Sequence, residues 1–327
     1  MKVLGLTCGR KMGNTEVLVR EALMGAKKAS GAETEIIRMH DLFIKPCLGC
    51  ECNYWKLENP NASCIIKDDH FQFFVEKLIE CDGFILGAPC YGSRPPGYLL
   101  VIADRFMGVT TSQQEKLNAK TRPQGAISVG GSDRVGVMLP LMNSNRLIRG
   151  TQLVDQMSVI WTSRPDQVVL NDDAIARARK LGSNVGKAIK MPGGKMKYLG
   201  NEDKHNLDDY YRSDFDLSTQ LAPPMYEACP VCHSDLVRLR GKQVECPICC
   251  IKGSVEVKDG VASFICDSVG RPSPYAGAAG RKRHDTDGIF MHNKLVIEKK
   301  QEIKEKMAKY QADIPATKPP ALKAKSK

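Results

Sequence analysis

The chain has 327 residues and a formal net charge of +11, with 42 % hydrophobic and 26 % charged residues. This composition is typical of a folded protein of about two domains and excludes a wholly disordered or fibrous chain. No apolar run approaches the roughly 18 residues that span a bilayer, and the N-terminus lacks the features of a signal peptide. We therefore expect a cytoplasmic protein that makes no membrane contact. Its 13 cysteines point to metal ligation or redox chemistry.

Strands and helices are predicted to alternate through the first 190 residues. Short apolar runs predict five strands, at residues 2–6, 34–39, 83–88, 124–129 and 157–162. Helical spacing of apolar residues predicts five helices, at 14–29, 70–80, 97–107, 137–154 and 172–189. This alternation is typical of an α/β fold in which a five-stranded parallel sheet carries helices on both faces.

The rest of the chain divides by composition into smaller segments. The α/β domain is expected to cover residues 1–191, and a linker is predicted at 192–226. A cysteine-rich β unit covers 227–266, and a basic loop followed by a helix covers 267–310. The basic tail at 311–327 is predicted to be disordered. Most of the excess positive charge lies in the C-terminal segments that begin with the basic loop.

The segment that joins the first strand to the first helix, residues 7–15, is a candidate phosphate loop. A helix N-terminus presents free N–H groups and a positive dipole end, and glycines let an anion approach the backbone closely. The glycine spacing matches neither the dinucleotide-binding fingerprint nor the Walker loop, and the segment also fits an ordinary capped turn. The candidate binding residues are Thr7, Gly9, Arg10, Gly13, Asn14 and Thr15.

Two further glycine-bearing loops follow the third and fourth predicted strands. In an open parallel sheet, ligands bind beyond the carboxyl ends of the strands, at the point where the strand order reverses. We expect backbone N–H groups of these two loops to flank a flat ring. The candidate residues are Pro89, Cys90, Tyr91, Gly92, Ser93, Gly130, Gly131, Ser132 and Asp133. For Tyr91, the alternative is a buried aromatic side chain of the core.

Five motifs in residues 1–190 carry a family resemblance. They are Thr7-x-x-Arg10-x-x-Gly13-Asn14-Thr15, Pro46-Cys47-x-x-Cys50, Cys64-Ile65-Ile66-Lys67-Asp68-Asp69, Gly87-Ala88-Pro89-x-Tyr91 and Ala103-Asp104-Arg105. Together they resemble the flavodoxin-like NAD(P)H-dependent FMN reductases, in particular the iron–sulfur flavoprotein branch. The resemblance implies the strand order 2-1-3-4-5 and bound FMN, with its phosphate on residues 7–15 and its ring between 89–93 and 130–133. It also implies a homodimer or homotetramer. Asp104 and Arg105 are expected to form a structural pair.

A first group of cysteines lies on the loop after the second predicted strand. It comprises Cys47, Cys50, Cys52 and Cys64. Four thiolates on one loop can hold a 4Fe–4S cluster. The spacing differs from that of the iron–sulfur flavoproteins, because its second gap is one residue and its last gap is long. The alternative is therefore a cysteine-bearing cap over the flavin pocket that holds no cluster.

A second group of cysteines predicts a metal site in the C-terminal part. It consists of two C-x-x-C pairs, Cys229 with Cys232 and Cys246 with Cys249. This pattern is typical of tetrahedral zinc in a zinc-ribbon-like β unit, and iron of the rubredoxin kind is the alternative. Turn dipeptides at 241–242 and 259–260 predict two hairpins in this unit.

These predictions combine into an FMN-dependent oxidoreductase that takes electrons from NAD(P)H and passes them to a small molecule or a protein. No side chain is assigned a catalytic role, because the flavin carries the chemistry. One alternative is a flavin-carrying subunit of a larger redox complex, which docks a partner protein through the zinc ribbon and the basic end. Another is a non-catalytic zinc-ribbon or nucleic-acid-binding module. Nucleic acid is not expected, since no basic face interleaved with aromatic residues accompanies the ribbon.

Overall fold

A computed structural model gives the architecture of the chain. The residues described are 1–52, 55–56, 59, 61–131, 135, 137–144, 150–160, 162–163, 167–192, 196–200, 238–240, 243–245, 252–258, 261–266 and 301.

Parallel strands and helices alternate in the N-terminal part, as predicted. The strands are β1 (Lys2–Thr7), β2 (Glu33–Arg38), β3 (Gly83–Pro89), β4 (Arg122–Val129) and β5 (Thr151–Val159). The helices are α1 (Asn14–Ser30), α2 (Phe71–Glu80), α3 (Gly97–Arg105), α4 (Thr111–Asn118), α5 (Met138–Ser144) and α6 (Asp172–Ile189). Short 3-10 helices lie at Met39–Asp41, Phe106–Gly108 and Gln167–Leu170.

The five strands form one parallel sheet in the order β2-β1-β3-β4-β5, which confirms the predicted flavodoxin-like topology. The chain passes from β1 to one side of the sheet and then crosses to β3 on the other side. The strand order therefore reverses between β1 and β3, where such folds bind ligands. Thr7 pairs with Gly87, and Gly87 pairs with Ile127, so the carboxyl ends of β1, β3 and β4 lie at one edge.

Apolar cores cover both faces of this sheet. On β1, Leu4 and Leu6 face the core shared with α2 and α3, whereas Val3 faces the core shared with α1 and α6. Successive side chains of a strand point to opposite faces, so a strand covered on both sides must be apolar throughout. This explains why the central strands are continuous apolar runs.

Helices α1 and α6 approach each other closely on one face. A Cβ atom at Gly182 would lie 1.7 Å from the Ala22 carbonyl oxygen, and one at Gly25 would lie 2.0 Å from the Arg179 carbonyl oxygen. Only glycine fits at both positions, because the obstructing atoms belong to the backbone and cannot rotate away. The middle of α1, the helix that follows segment 7–15, is thereby fixed against the C-terminal helix of the domain.

The region before the fifth strand differs from the prediction. A helix was expected at 137–154 and a strand at 157–162, but α5 ends at Ser144 and β5 already begins at Thr151. The polar residue Asp155 lies fully buried in this strand, where it is satisfied by Arg177 at 2.5 Å and Asn184 at 2.9 Å. Because these partners come from α6, the sequence around Asp155 does not show that this polar residue belongs to a buried strand.

A short segment after α6 runs beside β5. The backbone N–H of Leu199 donates to the Val154 carbonyl at 2.7 Å, and the side chain of Gln152 donates to the Met196 carbonyl at 2.7 Å. The segment 196–200 therefore covers part of the outer edge of β5.

A second sheet lies in the C-terminal part and is antiparallel. Its strands are β6 (Arg238–Arg240), β7 (Gln243–Glu245), β8 (Lys252–Lys258) and β9 (Val261–Cys266), paired in that order. Arg240 pairs with Gln243, and Lys258 pairs with Val261, so both predicted strand pairings are confirmed. The turn residues themselves lie outside the described residues. Of the predicted C-terminal helix, Gln301 is described, and it is helical. No helix in the described segments is long and apolar enough to cross a membrane.

Candidate cofactor site

The phosphate loop (residues 7–15) lies at the carboxyl edge of β1, as predicted. Gly13 immediately precedes α1, and no side chain of its own caps the helix. A Cβ atom at Gly9 would lie 3.0 Å from the Thr15 Cβ, so glycine allows the loop to fold tightly against the helix start. Thr7 and Thr15 are buried, whereas Arg10 and Lys11 are exposed. The loop thus presents two cations above a helix N-terminus.

The buried carboxylate of Glu16 holds the backbone of this loop. Glu16 is fully buried and accepts hydrogen bonds from Met12 N at 2.9 Å, Arg20 at 2.7 Å and Arg38 at 2.7 Å. Burial favours its neutral form, but the bonds from Arg38, Met12 and Arg20 outweigh burial and lower the pKa of Glu16 to about 2. This residue was not predicted from the sequence. The signal is an acidic residue at the third position of the helix, where a carboxylate can reach back to the preceding backbone.

A histidine holds the start of the same loop. His40 Nε2 lies 2.8 Å from the Cys8 carbonyl oxygen. A carbonyl oxygen only accepts, so Nε2 carries the proton and donates. The imidazole stacks on Tyr98 with a centroid distance of 5.5 Å, and the Tyr98 hydroxyl donates to the Leu42 carbonyl. The role of His40 was not predicted from the sequence either, because no local motif indicates it.

The loop after β3 forms a tight exposed turn. Gly92 and Ser93 both have positive φ, 58° and 64°, and Tyr91 N donates to Arg94 O at 2.9 Å. Two consecutive left-handed residues are typical of a type I′ turn. The Tyr91 side chain is 49 % exposed, so the alternative of a buried core aromatic is wrong. Cys90 donates its N–H to Val129 O, which ties this loop to β4.

The loop after β4 is tied to the region that follows β5. Gly130 N donates to Val159 O at 2.8 Å, and Thr162 N donates to Gly130 O at 2.9 Å. Gly131 is exposed beside this contact, whereas the predicted residues Ser132 and Asp133 lie outside the described residues. The structure therefore places Gly130 and Gly131 at the expected edge of the sheet.

Asn14 makes contacts that the sequence did not predict. Its side-chain amide donates to Thr162 O at 3.4 Å, and its side-chain oxygen accepts from Val168 N at 3.1 Å. These contacts join the phosphate loop to the segment after β5. Its predicted role as a phosphate donor stays a prediction.

The cysteine loop (residues 42–69) follows β2 and carries four cysteines that differ in exposure. Cys52 is buried and its thiol donates to Met107 O at 3.2 Å. Burial raises the pKa of Cys52, the charge of Lys56 opposes this shift, and the electrostatic influence of Cys50 and Cys64 raises the pKa further. Cys47 is exposed. Among the described residues, no group of three or more cysteine, histidine or acidic side chains is arranged to hold a metal ion.

The ends of the cysteine loop are anchored by a buried ion pair. Arg105 lies 2.5 Å from Asp69, donates to Lys45 O at 2.7 Å and covers the Phe71 ring at 4.7 Å. Burial opposes the ionised form of Asp69, but the hydrogen bond from Arg105 keeps its pKa below the usual range. Arg105 therefore has the expected structural role, but its partner is Asp69 of the loop rather than the neighbouring Asp104.

These residues fit FMN at the edge where β1, β3 and β4 end. The phosphate would lie against residues 7–15. The charge of Glu16 is already neutralised there by Arg20 and Arg38. Arg10 and Lys11 add positive charge. The ring would lie beside the exposed turn at 91–94 and the glycines after β4, Gly130 and Gly131. The predicted zinc ligands Cys229, Cys232, Cys246 and Cys249 lie outside the described residues, so the zinc site stays a prediction.

The fold and this edge define a flavodoxin-like flavoprotein. The family model described as NADPH-dependent FMN reductase matches residues 1–158. The iron–sulfur flavoprotein MJ1083 of Methanocaldococcus jannaschii is 31 % identical over 205 residues, which cover 58 % of this chain and 98 % of that protein. The chain belongs to the NADPH-dependent FMN reductase family and is an FMN-dependent oxidoreductase.

Two further similarities extend beyond the flavodoxin-like domain. The flavone synthase cfoJ of Aspergillus candidus is 28 % identical over 310 residues, which cover 88 % of each chain. The solved structure of a flavone reductase shares the fold, with a TM-score of 0.68 and 22 % identity, and the match covers 98 % of this chain and 100 % of that one. The C-terminal part therefore has counterparts in both proteins.

Proposed function

We propose that this protein is an NAD(P)H-dependent FMN oxidoreductase whose acceptor is a flat, conjugated phenolic ketone of the flavone class. The observation that carries the choice of the flavone class is the similarity to a flavone synthase along 88 % of both chains, and the reducing direction follows from membership of the NADPH-dependent FMN reductase family. The match to the general FMN reductase model ends at residue 158, so the shared region is much longer than a flavin domain requires.

The proposed reaction consumes one NAD(P)H and one proton for each conjugated C=C bond that is reduced to CH–CH. FMN, when bound, supplies the hydride transfer that links the nicotinamide to the acceptor. The residues of the chain bind the phosphate, orient the ring and exclude water. No protein side chain is required as a nucleophile.

Exposed apolar side chains on the relevant loops support a flat aromatic acceptor. Tyr91 is 49 % exposed on the turn after β3, and Met12 is 48 % exposed on the phosphate loop. The two loops follow adjacent strands at the same edge of the sheet. An exposed aromatic face and a flexible thioether are suited to stacking on a flat conjugated ring.

The test is anaerobic, stopped-flow absorbance spectroscopy on the purified holoprotein. We expect NADH or NADPH to bleach the visible flavin bands, and a flavone added next to restore them with formation of the saturated product. An acceptor-free sample serves as the control. Bleaching without reoxidation by a flavone or a chalcone would contradict the acceptor class, and a protein that releases no FMN on denaturation would contradict the proposal as a whole.

A second candidate is a flavin-carrying electron-transfer subunit. It is favoured by the similarity to an iron–sulfur flavoprotein and by the presence of four cysteines, Cys47, Cys50, Cys52 and Cys64, on one loop. It predicts slow reduction by NAD(P)H and fast reduction by a partner protein that docks at the zinc ribbon and basic end. Iron and acid-labile sulfide analysis of the anaerobic protein tests whether these cysteines hold a cluster.

The C-terminal cysteines carry a separate prediction. We expect one zinc ion per chain, lost in Cys232→Ser and retained in the matched control Cys266→Ser, by elemental analysis. Iron in place of zinc would support the rubredoxin-like alternative. A homodimer or homotetramer is expected, and sedimentation velocity of the full chain measures it.

A further inference from the structure

The end of β2 contacts both ends of the phosphate loop. Arg38, the last residue of β2, bonds to Glu16, which in turn accepts from Met12 N. His40, two residues later, donates to Cys8 O. We infer that Arg38 and His40 are positioning residues that hold this loop in its phosphate-binding conformation. This role goes beyond the proposed reaction, because it concerns which flavin is bound rather than which acceptor is reduced.

The contact through Glu16 fixes a conformation that the loop would otherwise not favour. Met12 has a positive φ of 52°, a left-handed conformation that is unfavourable for a residue with a Cβ atom. The Glu16 carboxylate stabilises it by accepting the Met12 N–H at 2.9 Å. Arg38 approaches the same carboxylate with two nitrogens, at 2.7 Å and 2.9 Å, and holds it in place. Arg38 therefore acts on the loop through Glu16.

The contact through His40 orients the opposite end of the loop. The ring stacks on Tyr98, and the Tyr98 hydroxyl is itself bonded to Leu42 O. This arrangement fixes the plane of the imidazole, so that its Nε2–H points at Cys8 O. With Cys8 and Met12 both held, the backbone between them cannot drift away from the anion.

The inference predicts discrimination between FMN and riboflavin, which differ only by the phosphate. A loop that is positioned for phosphate strengthens FMN binding and leaves riboflavin binding unchanged. A residue that merely stabilises the fold would affect both flavins together. The ratio of the two dissociation constants is therefore the diagnostic measurement.

The experiment uses the full-length chain freed of flavin and titrated with FMN or riboflavin while flavin fluorescence is followed. We expect Arg38→Met to weaken FMN binding about tenfold, and His40→Phe, which keeps the stacking ring but loses the donor, to weaken it about fivefold. His40→Gln retains an N–H donor and should recover most of the affinity. Riboflavin binding should change less than about twofold in all three variants. The matched control is Glu35→Gln, an ion-paired residue of β2 that contacts Lys2 and Lys77 rather than the loop.

A double variant tests whether Arg38 acts through Glu16. If it does, Arg38→Met combined with Glu16→Gln weakens FMN binding no more than the stronger single change, whereas independent effects of the two residues would add. Parallel losses for FMN and riboflavin, or unchanged FMN binding in both His40→Phe and Arg38→Met, would overturn the inference while leaving the proposed reaction intact. If Arg38→Met does not fold, the His40→Phe and His40→Gln pair still decides. A wild-type chain that binds the two flavins equally would remove the phosphate site itself.

Discussion

The phosphate loop and the cysteine loop follow neighbouring strands of one sheet, yet they are held in different ways. The phosphate loop is short, and a charged network and a histidine fix its backbone at both ends. The cysteine loop is long, and a buried ion pair between Arg105 and Asp69 holds its ends together. The difference teaches that the short loop is fixed through its own backbone, whereas the long loop is anchored near its ends and leaves side chains such as Leu48 and Ile65 exposed.

The largest expected effect comes from breaking the anchor of the cysteine loop. Arg105→Met removes one partner of a pair in which both side chains are buried, so Asp69 is left as an uncompensated charge. We expect a loss of about 3–5 kcal/mol in the free energy of unfolding, measured by urea denaturation. The control Lys45→Met, which breaks an exposed pair with Asp68, should change little. Equal effects of the two variants would contradict the buried anchor.

A slightly smaller effect on the free energy of unfolding is expected when the charge of Glu16 is removed. The pKa of Glu16 is about 2 in the folded chain, against its ordinary value of 4.5. Its stabilising contribution is therefore complete above pH 4.5 and is lost as the pH falls towards 2, because the unfolded chain takes up the proton first. The stability advantage of the wild type over Glu16→Gln should be about 3 kcal/mol at neutral pH and should shrink across this window. An advantage independent of pH would contradict the assignment.

The close packing of α1 against α6, which supports the phosphate loop, can also be tested by adding a single methyl group. Gly182→Ala places a methyl group against the Ala22 carbonyl and should cost about 1–3 kcal/mol, because α1 and α6 must move apart. FMN affinity should fall with it, since α1 carries the loop. Gly97→Ala, where the added methyl meets open space, is the matched control and should not destabilise the chain. Thermal unfolding of both variants gives the comparison.

The smallest perturbation is chemical labelling of the native thiols. Burial raises the pKa of Cys8 to about 12 and that of Cys81 to about 11, so neither should react with iodoacetamide at neutral pH. Of the cysteines whose exposure the structure describes, the exposed Cys47 should react first. Mass spectrometry of digested protein locates the label. Protection of Cys47 in the anaerobic protein, followed by reaction after iron is chelated, would instead support a cluster on the cysteine loop.

The sequence was sufficient to predict the elements that depend on local apolar patterns. Strands β1 and β3 and helix α6 lie where predicted, because each buries a continuous run or a regular helical stripe. Helix α4 was missed, since Leu117 is its buried residue and the rest is polar. Its signal was the capping box of Thr110 and Gln113, whose reciprocal hydrogen bonds are formed.

The candidate site was predicted as a set of loops but not as a network. Glycine spacing located residues 7–15 and 89–93, because the backbone geometry of a turn depends on the residues of the turn itself. The partners that position residues 7–15 were not visible, since Arg38 lies at the end of β2 and His40 in the 3-10 helix that follows it. The same holds for Arg105, whose partner Asp69 is brought in by the fold. Long-range pairing of charges is decided by tertiary structure, which a single sequence does not display.

The segment 196–200 has a consequence for self-association. A parallel sheet ends in two outer strands, and an unpaired edge offers a template on which a strand of another molecule can add. At β2 this edge carries charged side chains, Glu33 and Glu35. At β5 the chain itself occupies the edge, through Leu199 on Val154. Truncation at residue 195 would therefore expose the less charged of the two edges, and a shortened flavin domain should be more prone to aggregate than the full chain.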